Sequence, residues 1–142
     1  MHKFPEGNAI VYCEGAFNTP NGKTAHGLIR RTSRYKILSV IDSQYAGQDA
    51  GFVIDGKPKN IPIYATIETA VDAARNSASH LVIGIAPDGG RLSPEAREDV
   101  KKAIQLGLNV DCGLHDFLSE DPEISELAKQ HNVQIRDVRK TP

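Results

Sequence analysis

The sequence predicts a doubly wound α/β fold, a mostly parallel sheet flanked by helices, and three observations carry that prediction. Short, nearly continuous apolar runs recur along the chain, the pattern of strands buried on both faces. Segments with apolar residues at helical spacing lie between them. Polar, glycine-containing loops follow the strands, where such folds keep their ligand rim.

The elements follow in order. The first strand is Ala9–Tyr12, followed by a Gly/Asn/Pro-rich loop, 14–22, and a helix opening at Lys23. That helix puts Ala25, Leu28, Ile29 and Thr32 on one face, with Arg30, Arg31 and Arg34 mostly off it. Tyr35–Ile41 is the second strand and stops at Asp42. The stretch from Asp42 to Lys59 is polar and glycine-rich, and its Asp55–Pro58 turn is expected between two short extra strands. Ile61–Tyr64 is the third strand. Thr66 is placed to cap the next helix, whose Ile67, Ala70, Val71 and Ala74 share a face.

The fourth strand, His80–Ile85, runs into the loop Ala86–Gly90. Ser93 and Pro94 then open a helix with a buried stripe of Ala96, Val100, Ala103 and Ile104, closed by Gly107. Asn109–Cys112 is the fifth strand and ends in Gly113–Asp116. Asp121 and Pro122 open the last helix, and Val133–Val138 is the last strand. Strand and helix alternate five times, which makes this a Rossmann-like domain spanning 1–142.

With 142 residues, 39% hydrophobic and 25% charged, the composition is that of an ordinary globular domain. No apolar run approaches the roughly 20 residues of a membrane span, and the first residues lack the apolar core of a secretory signal. Cys13 and Cys112 have no metal-type spacing and read as reduced thiols of a cytoplasmic protein. The net charge of −1 is unevenly spread, with six Lys/Arg against two Glu in residues 1–36. A local positive excess suits a small anionic ligand better than nucleic acid, which asks for a broader basic face; the plainer reading is a solvated helix face.

The first loop is the leading candidate site. A strand that runs through a glycine-opened loop into a helix offers exposed N–H groups and the positive end of a helix dipole to an anion. Gly15, Lys23, Thr24, His26 and Arg30 are its candidate contacts. Gly22-Lys23-Thr24 has the ending of an NTPase P-loop, but that motif needs glycine at 17, where Phe17 stands. The dinucleotide fingerprint GxGxxG is missing too, because no second glycine follows Gly15 at the right offset. Asp42, closing the second strand, is placed like a ribose acceptor or, equally, like a turn cap. Asp88, Gly89 and Gly90 lie past the fourth strand and His115 past the fifth, on the same predicted rim. The paired glycines allow close approach of a ligand or make a plain turn. His115 is the candidate general base, or a local hydrogen-bonding residue. No metal cluster and no nucleophile triad has sequence support.

The segments KTAHGLIR, SVID, IGIAPDGG, GLHDFLSEDPE and IRDVRKTP resemble the N-terminal domain of a prokaryotic family. Its members pair a Rossmann-like domain with a C-terminal domain of the P-loop NTPase type. Some are described as D-glutamate N-acetyltransferases, and others as NAD-dependent epimerase/dehydratase-like. The resemblance implies that the chain is a fragment and that its partners include its own C-terminal P-loop domain. A homo-oligomer is left open. The segments IPIYATIETAVDAA, ASHLVIGIAP and AIQLGLNV are similar to the CoA-binding domain of succinyl-CoA synthetase α subunits, without that family's phosphohistidine domain. That similarity implies CoA or acetyl-CoA as cofactor, with Lys23, Thr24 and Arg30 at its phosphates and Asp42 near the ribose. Acyl transfer would then use His115 as base and the Gly89 and Gly90 N–H groups as oxyanion donors. The alternatives are an NAD(P)-linked oxidoreductase or epimerase, and a non-catalytic docking or oligomerisation domain.

Overall fold

A computed structural model describes residues 7–15, 17–19, 22–30, 35–75, 77–85, 93–112 and 121–137, with the backbone alone at 23, 24, 30 and 137. Six strands form one sheet: β1 (Gly7–Tyr12), β2 (Tyr35–Ile41), β3 (Ile63–Tyr64), β4 (His80–Ile83), β5 (Asn109–Cys112) and β6 (Ile135–Asp137). Their order is β3-β2-β1-β4-β5-β6, and all five ladders are parallel. The chain winds outward from β1 to one edge, crosses back to β4 and winds to the other edge. Right-handed crossovers then place the connecting helices on opposite faces of the two halves.

Among the described residues five helices lie in those connections: α1 (Lys23–Arg30), α2 (Ala50–Asp55), α3 (Ile67–Ala73), α4 (Pro94–Gln105) and α5 (Pro122–Gln130). On one face Val11, Cys13 and Val40 pack with Ala25 and Ile29 of α1, Ala50 of α2 and Ile63. On the other, Ile10, Tyr12, Leu81, Ile83, Val110 and Cys112 pack against the inner stripes of α3, α4 and α5. Ile10 and Leu81 are wholly buried, and cutting either to Ala removes about 2–5 kcal/mol of stability.

The helix starts match their sequence signals. Thr66, Ser93 and Asp121 each accept a hydrogen bond from a first-turn N–H. Asp121 also holds Arg97 of α4 through contacts of 2.7–3.0 Å, which ties α5 to α4. Burial alone would raise the Asp121 carboxyl, but Arg97 and the Ile124 and Glu123 N–H groups outweigh it and hold it below its ordinary range.

The stretch after β2 departs from expectation. No strand pair flanks Asp55–Pro58 there; Ser43–Tyr45 makes a 3-10 turn, and Ala50–Asp55 is the helix α2. Gly56, left-handed at φ 71°, ends α2 and donates its N–H to the Phe52 carbonyl. A single antiparallel bridge, Asp49 to Pro62, is what remains of the expected pairing. Asp49 organises the segment, because its carboxylate accepts from the N–H groups of Phe52, Lys59 and Ile61. One acid thereby caps a helix and returns the chain to β3.

Candidate functional site

The carboxyl ends of β1 and β2 meet at the first loop. The ladder runs one step past β1, with the Cys13 N–H donating to the Ile41 carbonyl at 3.1 Å. Gly15 then turns the chain at φ +77°, a left-handed conformation that glycine adopts without a Cβ penalty. Phe17, two residues on, is completely buried and meets the His26 ring edge-on at 5.5 Å. The His26 Nε2–H donates to the Phe17 carbonyl oxygen, which fastens the loop to α1.

The Asp42 carboxylate lies inside this loop. Its Oδ1 accepts from the Gly15 N–H at 3.2 Å and its Oδ2 from the Phe17 N–H at 3.0 Å. Oδ1 also accepts from the Gln44 N–H at 2.9 Å, which caps the 3-10 turn. The residue is 0% exposed. Beside it the Glu14 carboxylate accepts from both the backbone N–H and the hydroxyl of Ser43. Two acids therefore cross-link the first loop and the end of β2, each fastened to the other segment.

The start of α1 is also internally engaged. The Ala25 N–H donates to the Gly84 carbonyl at 3.3 Å, just past β4. This close approach rests on Gly84, where an added Cβ would meet Val11 Cγ1 at 2.7 Å and Ala25 Cβ at 2.9 Å. In the dinucleotide fingerprint a helix glycine provides the tight helix–strand contact. Here a strand-end glycine opposite Ala25 provides it. The sequence signal is an isolated glycine inside the apolar run HLVIGI.

Neither thiol nor phenol at this end is poised for acid–base or nucleophilic work. Burial, with the charges of Asp42 and Glu14, pushes the Cys13 thiol up to about 12. Tyr12 donates to Asp99 Oδ2 at 2.6 Å, and burial together with that carboxylate drives the phenol far above its usual range.

A second buried acid, Asp111, stands on β5 on the α1 side of the sheet, in the row Val40–Val11–Val82–Asp111–Arg136. Arg136 holds it through Nε at 3.0 Å and a terminal nitrogen at 2.7 Å, and the Tyr35 hydroxyl donates to the same carboxylate. Burial would raise the Asp111 carboxyl, but Arg136, Tyr35 and the nearby His80 together bring it below its ordinary range. Sequence reading missed this cluster, although an acid inside a four-residue strand already asks for a buried partner.

Of the sequence-derived candidates, the fold brings Gly15, His26 and Asp42 into one contact network. Lys23, Thr24 and Arg30 lie on α1, where the backbone alone is described. Asp88, Gly89, Gly90 and His115 fall outside the described residues. Among the described residues no cluster of three or more His, Cys, Asp or Glu could hold a metal ion. No described helix is long and apolar enough to cross a membrane.

The profile of a Rossmann-like domain of unknown function, DUF1611_N, matches residues 43–141. The chain belongs to this family. A crystal structure of a DUF1611 family protein from Anabaena variabilis ATCC 29413 superposes with a TM-score of 0.84 at 32% identity, covering 96% of this chain and 38% of that one. Two proteins named D-glutamate N-acetyltransferase are similar in sequence. The one from Pseudoalteromonas sp is 35% identical over 68 residues, 48% of this chain. The one from Tritonibacter scottomollicae is 32% identical over 71 residues, 50% of this chain. This DUF1611_N chain spans about a fifth of the length of those curated relatives, through 20% of the first and 21% of the second. A homoserine dehydrogenase from Thiobacillus denitrificans, at TM-score 0.60 and 19% identity, shares the fold alone. The DUF1611_N match begins at Ser43, so β1, the first loop, α1 and Asp42 precede it.

Proposed function

We propose that this DUF1611_N domain is the cofactor-binding part of an acyl-CoA-dependent N-acetyltransferase-like enzyme acting on a D-amino acid such as D-glutamate. What supports this reading over hydride transfer is the pair of relatives named D-glutamate N-acetyltransferase, together with the missing GxGxxG fingerprint. The Gly15 and Phe17 N–H groups of the first loop are held by Asp42, so a bound cofactor's phosphates would be met by other groups of the loop and α1. The names of the two relatives supply the acyl-transfer chemistry. The positive excess over residues 1–36 is in keeping with ligands that are themselves anionic, both the dicarboxylic acceptor and the CoA phosphates.

In that reaction the acceptor's amine nitrogen attacks the thioester carbonyl, the tetrahedral oxyanion collapses, and the CoA thiolate leaves. The site has to remove a proton from the ammonium group and stabilise the oxyanion. In this proposal His115 takes the proton, the Gly89 and Gly90 N–H groups face the oxyanion, and Lys23, Thr24 and Arg30 meet the CoA phosphates. A C-terminal P-loop domain of the longer protein is proposed to complete the site.

Titration calorimetry with acetyl-CoA, CoA, NAD and ATP tests the binding step, and N-acetyl-D-glutamate formation tests the chemistry. The expected result is binding of acetyl-CoA and CoA, weakened about tenfold or more when Lys23→Ala removes a phosphate contact. Binding of NAD in place of CoA overturns the proposal in favour of an oxidoreductase or epimerase. Binding of none of the four overturns the cofactor role of this domain and leaves a docking function.

A further inference from the structure

We infer that Asp42 is a specificity-determining residue whose carboxylate occupies the diphosphate seat formed by the Gly15 and Phe17 N–H groups and closes that seat to the diphosphate of NAD(P), ADP or CoA alike. It rests on the loop geometry and not on the acyl-transfer reading, in which Lys23, Thr24 and Arg30 would meet the CoA phosphates without these two N–H groups. A Rossmann-type first loop binds pyrophosphate because backbone N–H groups converge on one point beyond β1. Here two such groups, on Gly15 and Phe17, converge at 3.2 and 3.0 Å on the two oxygens of one carboxylate. The chain thus supplies its own anion, and the acid that supplies it ends β2, where a dinucleotide-binding domain keeps its ribose acceptor.

Four further features hold the seat closed. Asp42 is fully buried, so a phosphate cannot reach the two N–H groups while the carboxylate is there. Oδ1 is also held by the Gln44 N–H, and the adjoining Ser43 is clamped by Glu14, so the carboxylate is fixed from its own side as well as from the loop. Phe17 stands where a second glycine would let a pyrophosphate approach, and its buried ring is backed by His26. Asp42 and Glu14 also bring negative charge to a position where a diphosphate would add more.

The test follows the amide resonances of Gly15 and Phe17 by two-dimensional NMR while ADP or NAD is added to the protein. In the wild type both resonances should stay in place at millimolar ligand. Asp42→Ala frees the two N–H groups, and ADP should then shift both of them, with affinity at least tenfold above the wild type. A merely structural Asp42 would not produce that gain. Asp42→Asn retains the side-chain shape without the charge and should fall between the two. ADP or NAD that shifts both amides in the wild type overturns the inference, as does a folded Asp42→Ala protein that gains no ADP affinity. If Asp42→Ala does not fold, the wild-type and Asp42→Asn titrations decide. Unmoved amides in the first with a gain in the second support the closed seat, and equal binding sinks it.

Discussion

Asp42 and Asp111 are both buried, and their carboxylates are satisfied in different ways. Three backbone N–H groups surround Asp42, drawn from the first loop and from the turn after β2. A guanidinium and a phenol surround Asp111, drawn from β6 and β2. Backbone dipoles leave an acid its full charge while satisfying its lone pairs, and they bind together segments that have no side chain in common. A cation cancels the charge and joins strands through side chains. The first arrangement shapes a loop at the ligand rim, and the second clamps β2, β5 and β6.

Removing Asp42 should have the largest effect. Asp42→Ala leaves the buried Phe17 N–H and the part-buried Gly15 and Gln44 N–H groups without their acceptor. Hydrogen bonds to a charged acceptor contribute about 1.5–3 kcal/mol each, and partial hydration recovers some of the loss at the two outer groups. A fall of about 3 kcal/mol in urea-unfolding stability is expected, and a loss under 1 kcal/mol would show that the loop stands without its carboxylate. Asp111→Asn should cost less, about 2 kcal/mol, because the Arg136 side chain left behind is 43% exposed and keeps much of its hydration. Equal losses for the two variants would erase the distinction between them.

Which of these features the sequence discloses follows from the same physics. Apolar runs and caps are local, so the six described strands and four of the five described helices are legible, with strand ends displaced by a residue or two and the expected far end of α1 outside the described residues. The helix α2 is not, since AGFVID is too short to show a period and carries a glycine that argues against a helix. Gly51 is there for another reason: an added Cβ would lie 2.6 Å from the Lys57 carbonyl oxygen. Gly15 and Asp42 were both marked as candidates, but their mutual bond could not be read, because the donors facing Asp42 are backbone groups that every residue carries. The Asp111–Arg136 pair is different. A buried acid in NVDC and an arginine in IRD are visible side chains, and the β5–β6 register is what brings them together.

Acidity offers a sharper separation. The Asp111 carboxyl lies below its ordinary range when folded, since Arg136, Tyr35 and His80 outweigh the burial that would raise it. A depressed folded-state value means that the unfolded chain binds the proton first. Its stabilising contribution is complete above about pH 4, the ordinary aspartate value, and is lost as pH falls through the depressed one. Urea midpoints of the wild type and Asp111→Asn should therefore be furthest apart near neutrality and converge below pH 4. A gap that stays constant through that range would assign the Asn penalty to shape and not to charge.

The smallest effect should come from Arg136→Lys, and it separates charge from geometry at Asp111. Lysine keeps the cation but replaces a planar fork, which reaches both carboxylate oxygens, with a single point of contact. Half-exposed as position 136 is, water can serve the oxygen that lysine leaves, so the expected loss is about 0.5 kcal/mol. A much larger loss, approaching that of Asp111→Asn, would mean that the fork and not the charge holds β6 to the sheet. The Arg136 contact to the Tyr35 hydroxyl, 3.3 Å away, would then belong to the same clamp, because lysine cannot reach the phenol and both carboxylate oxygens at once. Combining Arg136→Lys with Tyr35→Phe decides this: additive losses leave two separate contacts, and a shortfall from additivity shows one coupled network.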